Sequence, residues 1–226
     1  MSLINPSWHP GDKIISPVDE MVDIDSIGVS QRDIYKLLIG GIVPRPIAFV
    51  STVSPEGVGN LAPFSFFNGV SSNPPCVMIS ITRKNDGGKK DTLRNIETTG
   101  QFVVNTTSEW LAEPMNHCSA DYPYGVDEMK KVGLTALPSS RVKPARVKES
   151  PVQFECEIYK TLEVGDGTVG SSTIVVGRVV MTHVWKEIYH DGRIDFAGLK
   201  SIARIGGNSY AFGMGTFELA RPKIQD

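Results

Sequence analysis

Residues 44–92 read PRPIAFVST (44–52), the turn SPEG (54–57), NLAPFSFFNGVSSNPP (60–75), CVMISIT (76–82) and RKNDGGKKDT (83–92). Pro44, Arg45 and Pro46 force an extended entry. Ile47 to Val50 is then a continuous apolar run of strand length, ending in Ser51 and Thr52. Ser54-Pro55-Glu56-Gly57 places Pro and Gly where a tight turn wants them. Asn73-Pro74-Pro75 excludes helix and delivers the chain into Cys76 to Thr82, a second buried strand. Two apolar strands thus bracket a small-residue and aromatic loop, and the second strand empties into a cationic loop that opens a helix. That layout suits a planar ring carrying a phosphate on its tail.

Upstream, residues 1–28 are rich in Pro, Asp and Ser and lack a period, which predicts an irregular arm. Trp8 and His9 are expected to pack it onto the body or onto a partner subunit. SQRDIYKLLIG (30–40) predicts a helix with Ser30 as cap, Asp33 at capping-box spacing and Ile34, Leu37 and Leu38 on one face. Gly40 and Gly41 are expected to end it. Downstream, Asp91 is expected to cap the helix TLRNIETT (92–99), stopped by Gly100, and Phe102 to Asn105 reads as a strand. Short helices are predicted over 108–118 and 126–132. Val152, Phe154, Cys156 and Ile158 alternate with Gln153, Glu155, Glu157 and Tyr159, which predicts an antiparallel strand with one wet face. Residues 173–185 are long and β-branched, and a last strand is expected around 215–219. Strands outnumber helices and most connections are too short for parallel crossovers. The expectation is one domain over 1–226, a mainly β, antiparallel barrel with short peripheral helices.

The 226 residues are 40% hydrophobic and 21% charged with a net charge of -2, ordinary for a globular chain and unlike the basic footprint of a nucleic-acid binder. No apolar run approaches the roughly 20 residues of a membrane helix. Cys76, Cys118 and Cys156 are sparse and odd in number, which fits a reducing cytoplasm. The N-terminus lacks the apolar core of a secretory signal.

GDGTVG (165–170) matches GxGxxG, but the dinucleotide fingerprint needs a helix after it, and here a β-branched strand follows. A hairpin turn is the reading. Arg83, Lys84, Lys89, Lys90 and Arg94 surround a predicted helix start, with Gly87 and Gly88 able to admit a close phosphate and Thr82 and Thr92 as hydroxyl donors. A solvated loop of surface lysines competes with that reading. In NLAPFSFF (60–67), small residues and Pro let a ring lie against the main chain, while ordinary barrel packing accounts for Phe64. The four histidines are isolated, so no metal site is expected. His117 beside Cys118 is an accident of sequence, since helix neighbours point about 100° apart. The chain lacks an acid–base kit, which points to chemistry done by a cofactor.

PRPIAFVST, NLAPFSFFN, SSNPP, KKDTLRNIETTGQFVVN and the late RIGGNSY (204–210) together resemble the flavin reductase-like, FMN-binding split-barrel family, its flavoredoxin-like branch in particular. The resemblance runs over about residues 34–222. It implies a split β-barrel homodimer with one FMN per subunit near the interface. It also implies that Asn60, Ala62, Pro63, Ser65, Phe66 and Phe67 border the ring and ribityl chain. Thr82, Arg83, Lys89, Lys90, Asp91 and Thr92 would surround the phosphate. Arg45 and Ser51 sit in a family motif, Arg45 as an electrostatic helper toward flavin or nicotinamide. Arg204, Gly206, Gly207 and Tyr210 match the late motif, closing their own site or the neighbour's. The NDGG insertion before KKDT leaves open which lysine reaches the phosphate.

The activity implied is an oxidoreductase taking hydride from NAD(P)H and passing electrons to free flavin or a partner protein. Two alternatives stand beside it: an FMN-binding electron carrier without NAD(P)H turnover, and a binder of another phosphorylated ring such as pyridoxal phosphate. Neither nucleic acid nor membrane is an expected partner.

Overall fold

The computed structural model describes residues 7–213, 215–219 and 221–222. Ala48–Val53 (β2) follows a two-residue strand, Arg45–Pro46 (β1), and pairs with Gly59–Phe64 (β3) across the SPEG turn. Phe67–Ser72 (β4) and Pro75–Thr82 (β5) form a second hairpin around Asn73 and Pro74. Gln101–Thr106 (β6), Val152–Val164 (β9) and Ser172–Val184 (β10) complete an antiparallel sheet in the order β3-β2-β6-β9-β10-β5-β4.

That order closes the sheet. β3 and β4 lie at its two edges, yet only Ser65 and Phe66 separate them in sequence. Three virtual bonds reach roughly 11 Å, whereas seven flat strands at about 4.8 Å spacing would set the edges roughly 29 Å apart. The sheet must therefore curl until its edges face each other, with the Ser65–Phe66 joint crossing an incompletely bonded seam. Phe66 C=O accepts from Ser80 N–H at 2.8 Å at that crossing. The fold is the expected mainly β, antiparallel split barrel.

The continuous apolar run in β2 reflects burial on both faces. Ala48 and Val50 join a core inside the barrel with Ile79, Ile81, Phe102 and Val175, while Phe49 faces a second core with Leu61, Met115, Met129 and Ile202. Asp91–Thr99 (α2) plugs the inner core with Leu93 and Ile96, both fully buried, and stops at Gly100 in the left-handed region at φ 73°. Ala112–His117 (α3) and Glu128–Lys131 (α4) cover the outer core. Ile202–Arg204 (β13) and Tyr210–Phe212 (β14) extend a small sheet from β1. Two ribbons, Ala136–Leu137 (β7) with Arg146–Val147 (β8) and Tyr189–His190 (β11) with Arg193–Ile194 (β12), and the turn Phe196–Leu199 (α5) fill the periphery.

Several expectations are corrected. Gln31–Gly41 (α1) runs through Gly40 and Gly41, capped at its start by Ser30 as expected, and it buries no residue. Neither glycine breaks the helix, and a Cβ at either would meet nothing within 4 Å. Asp91 is the first residue of α2, not its cap, because the extended residue before the helix is Lys90; the Asp91 carboxylate pairs with Lys84 at 2.8 Å. Among the described residues the final strand is β14, and residues 215–219 carry no strand. In the arm, residues 7–28 carry no helix or strand, as expected; Trp8 and His9 are exposed on this chain, and residues 1–6 lie outside the described residues. The polar face of β9 is not wet at its start, since Gln153 and Glu155 are buried between β6 and β10. GDGTVG closes the β9–β10 hairpin as predicted, with Asp166 accepting from Thr168 and Ser171.

Candidate functional site

A cleft opens where the seam meets the start of α2. One part, of about 150 Å³, is lined by Asn60, Ala62, Pro63, Lys90, Asp91 and Thr92 together with Lys84, Glu128 and the segment 118–122. A second, of about 170 Å³, is lined by Ser65, Phe66 and Thr82 with Tyr35 and Ser80. Pro63, Phe64 and Lys90 border both, so the two are one groove along the edge strand. Joined, they reach the lower end of small-molecule sites, roughly 300–1,000 Å³.

The edge position explains the chemistry of the wall. β3 pairs only with β2, so one row of its backbone groups has no strand partner. Leu61 N–H, on that row, donates to Glu128 Oε2 at 2.8 Å. Two residues on, the same row falls at Pro63, which has no N–H to leave unpaired. Phe64 is both core and cleft wall: it is buried in the inner core and borders both parts of the groove. Tyr35 of α1 stands 6.5 Å from the Phe66 ring, tilted by 55°.

The cationic loop divides. Arg83 pairs with Glu163 at 2.7 Å and Lys89 with Glu97 at 2.7 Å, and neither borders the groove. Arg83 Nε is buried without a hydrogen-bond partner among the described residues. Lys84 reaches the groove but is held by Asp91. Lys90 is the N-cap of α2, borders both parts of the groove and has no ion-pair partner among the described residues. A lysine beside the first turn of a nine-residue helix makes an anion-attracting end. Gly87 and Gly88 do not line the groove. They close a turn, with Gly87 at φ 82° and Lys84 N–H bonded to Gly88 C=O at 2.8 Å.

Asn60, Thr92 and Thr52 form a buried polar knot behind the groove. Asn60 Nδ2 donates to Thr92 Oγ1 at 3.1 Å and to Thr52 Oγ1 at 3.0 Å, and Asn95 Nδ2 donates to Thr52 as well. This knot ties the start of α2 to β3, so the anion end and the edge strand keep a fixed relation.

Other expected site residues do not border the groove of this chain. Ser51 is buried away from the groove and donates to Ala145 C=O. Phe67 packs on the inner core. Arg45 is 4% exposed and has no carboxylate partner among the described residues. Its guanidinium donates to Ile39 C=O (2.7 Å), Ile42 C=O (2.6 Å), Ile205 C=O (2.9 Å) and Ser65 Oγ (3.3 Å). Burial lowers its pKa and neighbouring Arg204 adds to the effect. It is a strut behind Ser65, with its charge spread over carbonyls. Arg204 lies 4.5 Å over the Tyr210 ring, and Tyr210 donates to Asn116 Oδ1 at 3.1 Å; neither borders the groove of this chain.

The residues that pattern reading missed are Tyr35, Ser80, Glu128 and the wall 118–122. Burial pushes the Glu128 carboxyl above the ordinary carboxylate range, against the Leu61 N–H that favours its anion. Burial, helped by Glu128, drives the Cys118 thiol up to about 12, so it is no thiolate nucleophile. His117 turns to Tyr122, its Nδ1 2.7 Å from the hydroxyl, as expected of an unrelated neighbour. No group of metal-ligating side chains occurs among the described residues, and no helix among them is long and apolar enough to cross a membrane.

Comparison with known proteins adds the kinship. A protein of Halalkalibacterium halodurans is 40% identical over 197 residues, 87% of this chain and 94% of its own. The crystal structure of nitrilotriacetate monooxygenase component B from Bacillus cereus superposes with a TM-score of 0.86 at 38% identity, covering 89% of this chain and 100% of that one. A 2-nitrobenzoate 2-nitroreductase from Pseudomonas fluorescens gives 0.81 at 29% identity over 91% of this chain and 98% of its own. The model of the flavin reductase like domain matches residues 40–197, which span β1 to β10 and both sides of the groove. The chain belongs to the flavin reductase-like family.

Proposed function

We propose that this flavin oxidoreductase binds FMN in the groove and is reduced there by NAD(P)H, passing electrons to free flavin or to a partner protein. The observation that carries the reading is the groove itself: an edge strand and aromatic walls at one end, an unpaired lysine on a helix start at the other. Those residues fit the group. Lys90 and the first turn of α2 would hold the phosphate, while Pro63, Phe64 and Phe66 would flank the ring and keep water from it. Backbone groups of the edge strand would orient its polar rim, and fixed dipoles there favour negative charge on a reduced ring without reorganisation. When bound, the flavin supplies the hydride-accepting position, so no side chain needs to act as base. The kinship to a monooxygenase component supports a role as electron supplier, and the buried, unpaired cysteines suit a reducing cytoplasm.

We further propose a homodimer, supported by the outward apolar side chains of α1, where Leu37 and Leu38 are each almost half exposed. Arg204 and Tyr210, which do not border the groove of their own chain, would then be free to serve the neighbour's.

The spectrum of purified protein, followed by anaerobic titration with NADH and NADPH, tests the reading. We expect flavin absorbance that bleaches with one nicotinamide, and steady turnover with free FMN, FAD or 2-nitrobenzoate as acceptor. Flavin that stays bound and is never reduced by either nicotinamide would make the chain a carrier. Colourless protein that ignores added FMN would overturn both.

A further inference from the structure

A second cavity, of about 560 Å³, shares no residue with the groove. Arg146 of β8, Lys148 just beyond it, Gln153 at the start of β9 and His183 and Trp185 at the end of β10 line it, with Leu137. None of its lining residues is acidic. Glu155, close behind, is fully buried, and its Oε1 lies 3.9 Å from Arg146 Nε, so the guanidinium already has one distant counter-charge. The Glu155 carboxylate accepts N–H bonds from Ser140 (2.7 Å), Arg141 (2.6 Å) and Val142 (3.2 Å), and lies 2.6 Å from His183 Nε2.

The cation here is held in place before any ligand arrives. Arg146 donates from Nε and Nη2 to Pro138 C=O and from Nη1 to Gln153 Oε1 at 2.9 Å. A guanidinium has five N–H donors, so two remain beyond these three bonds. Lys148 is exposed and has no ion pair among the described residues. Trp185 stacks on Trp110 at 5.6 Å with planes 7° apart, leaving its other face and its edges for contact. A fixed fork, a free ammonium and a braced indole are the parts that recognise a flat ring bearing a carboxylate.

We propose that this cavity is a binding site for small planar aromatic carboxylates, separate from the flavin groove. Titration calorimetry of the full chain with benzoate, and with neutral benzamide as control, tests it. We expect saturable one-to-one binding near the 1 mM range, about tenfold weaker for benzamide, and unaffected by saturating FMN. Lys148→Ala, at an exposed position that leaves the fold intact, should weaken benzoate several-fold, and Arg146→Lys should do so by losing the fork while keeping the charge. Lys90→Glu should leave benzoate affinity unchanged. Equal affinity for benzoate and benzamide, displacement by FMN, loss through Lys90→Glu in place of Lys148→Ala, or heats that never saturate would each overturn the assignment.

Discussion

Lys89 and Lys90 are adjacent in sequence and opposite in circumstance. Lys89 spends its charge on Glu97, while Lys90 faces the groove without a counterion among the described residues. Of the two lysines that the NDGG insertion leaves open, we propose Lys90 as the phosphate contact. Lys90→Glu should weaken FMN binding about tenfold or more, since a phosphate carries about -1.5 to -2 charges, whereas Lys89→Glu should change it less than about threefold. Fluorescence titration of FMN reads both, and equal losses would sink the placement. Glu128 offers a test by pH. Its carboxyl is raised in the fold, so the folded state resists its ionisation, and the cost sets in as pH climbs past the ordinary value of 4.5 toward the raised one. Glu128→Gln keeps an acceptor for Leu61 N–H and removes that cost. The variant's melting temperature should match the parent at pH 4, rise above it as pH passes 4.5 and keep that margin once the carboxyl is ionised in the fold; the same difference at every pH would contradict the assignment.

At the scale of elements, β10 depends on a missing side chain. A Cβ on Gly177 would drive into the Phe102 ring and crowd Cys156, and the β9–β10 register shifts at this same glycine. Gly177→Ala should cost about 1–3 kcal/mol by overpacking, at roughly 2–4 °C per kcal/mol for a chain of this size. Thermal melts check it, and Phe102→Leu in the same chain should recover part of the loss, because the two sites share one space. Elements were legible wherever local chemistry decides them. The apolar runs of β2 and β5, the Gly100 stop and the GDGTVG hairpin all follow from pattern and turn residues. What pattern could not supply was burial of polar residues: Gln153 and Glu155 alternate like a wet face, and only the neighbouring strands make that face interior.

For the whole molecule, the groove is assembled from stretches far apart in sequence. Its edge strand and its lysine lay within 44–92 and could be read, but Tyr35, Glu128 and the wall 118–122 come from outside that stretch and reach it only through the fold. Arg45 and Ser51 carry a motif, yet both turn to backbone carbonyls and neither borders the groove of this chain, a placement that motif membership does not reveal. The outward face of α1 is legible as amphipathic, but its direction is not: Leu37 and Leu38 point away from the body of this chain. If a second copy covers them, Leu37→Asp with Leu38→Asp should convert a dimer to a monomer in light-scattering chromatography and leave the barrel's circular dichroism intact. A parent chain that already runs as a monomer would refute the dimer.

The grip of Arg45 on Ile205 C=O joins positions 160 residues apart. During synthesis, the chain emerges from its N-terminus, so Arg45 must wait until every strand of the barrel sheet has been made before its last carbonyl exists. Until then the guanidinium can hold only its nearer partners, Ile39 C=O, Ile42 C=O and Ser65 Oγ. The brace behind the seam is accordingly a late event: the nascent protein can pair its hairpins early, but Arg45 can complete its set of carbonyls only once Ile205 has been made.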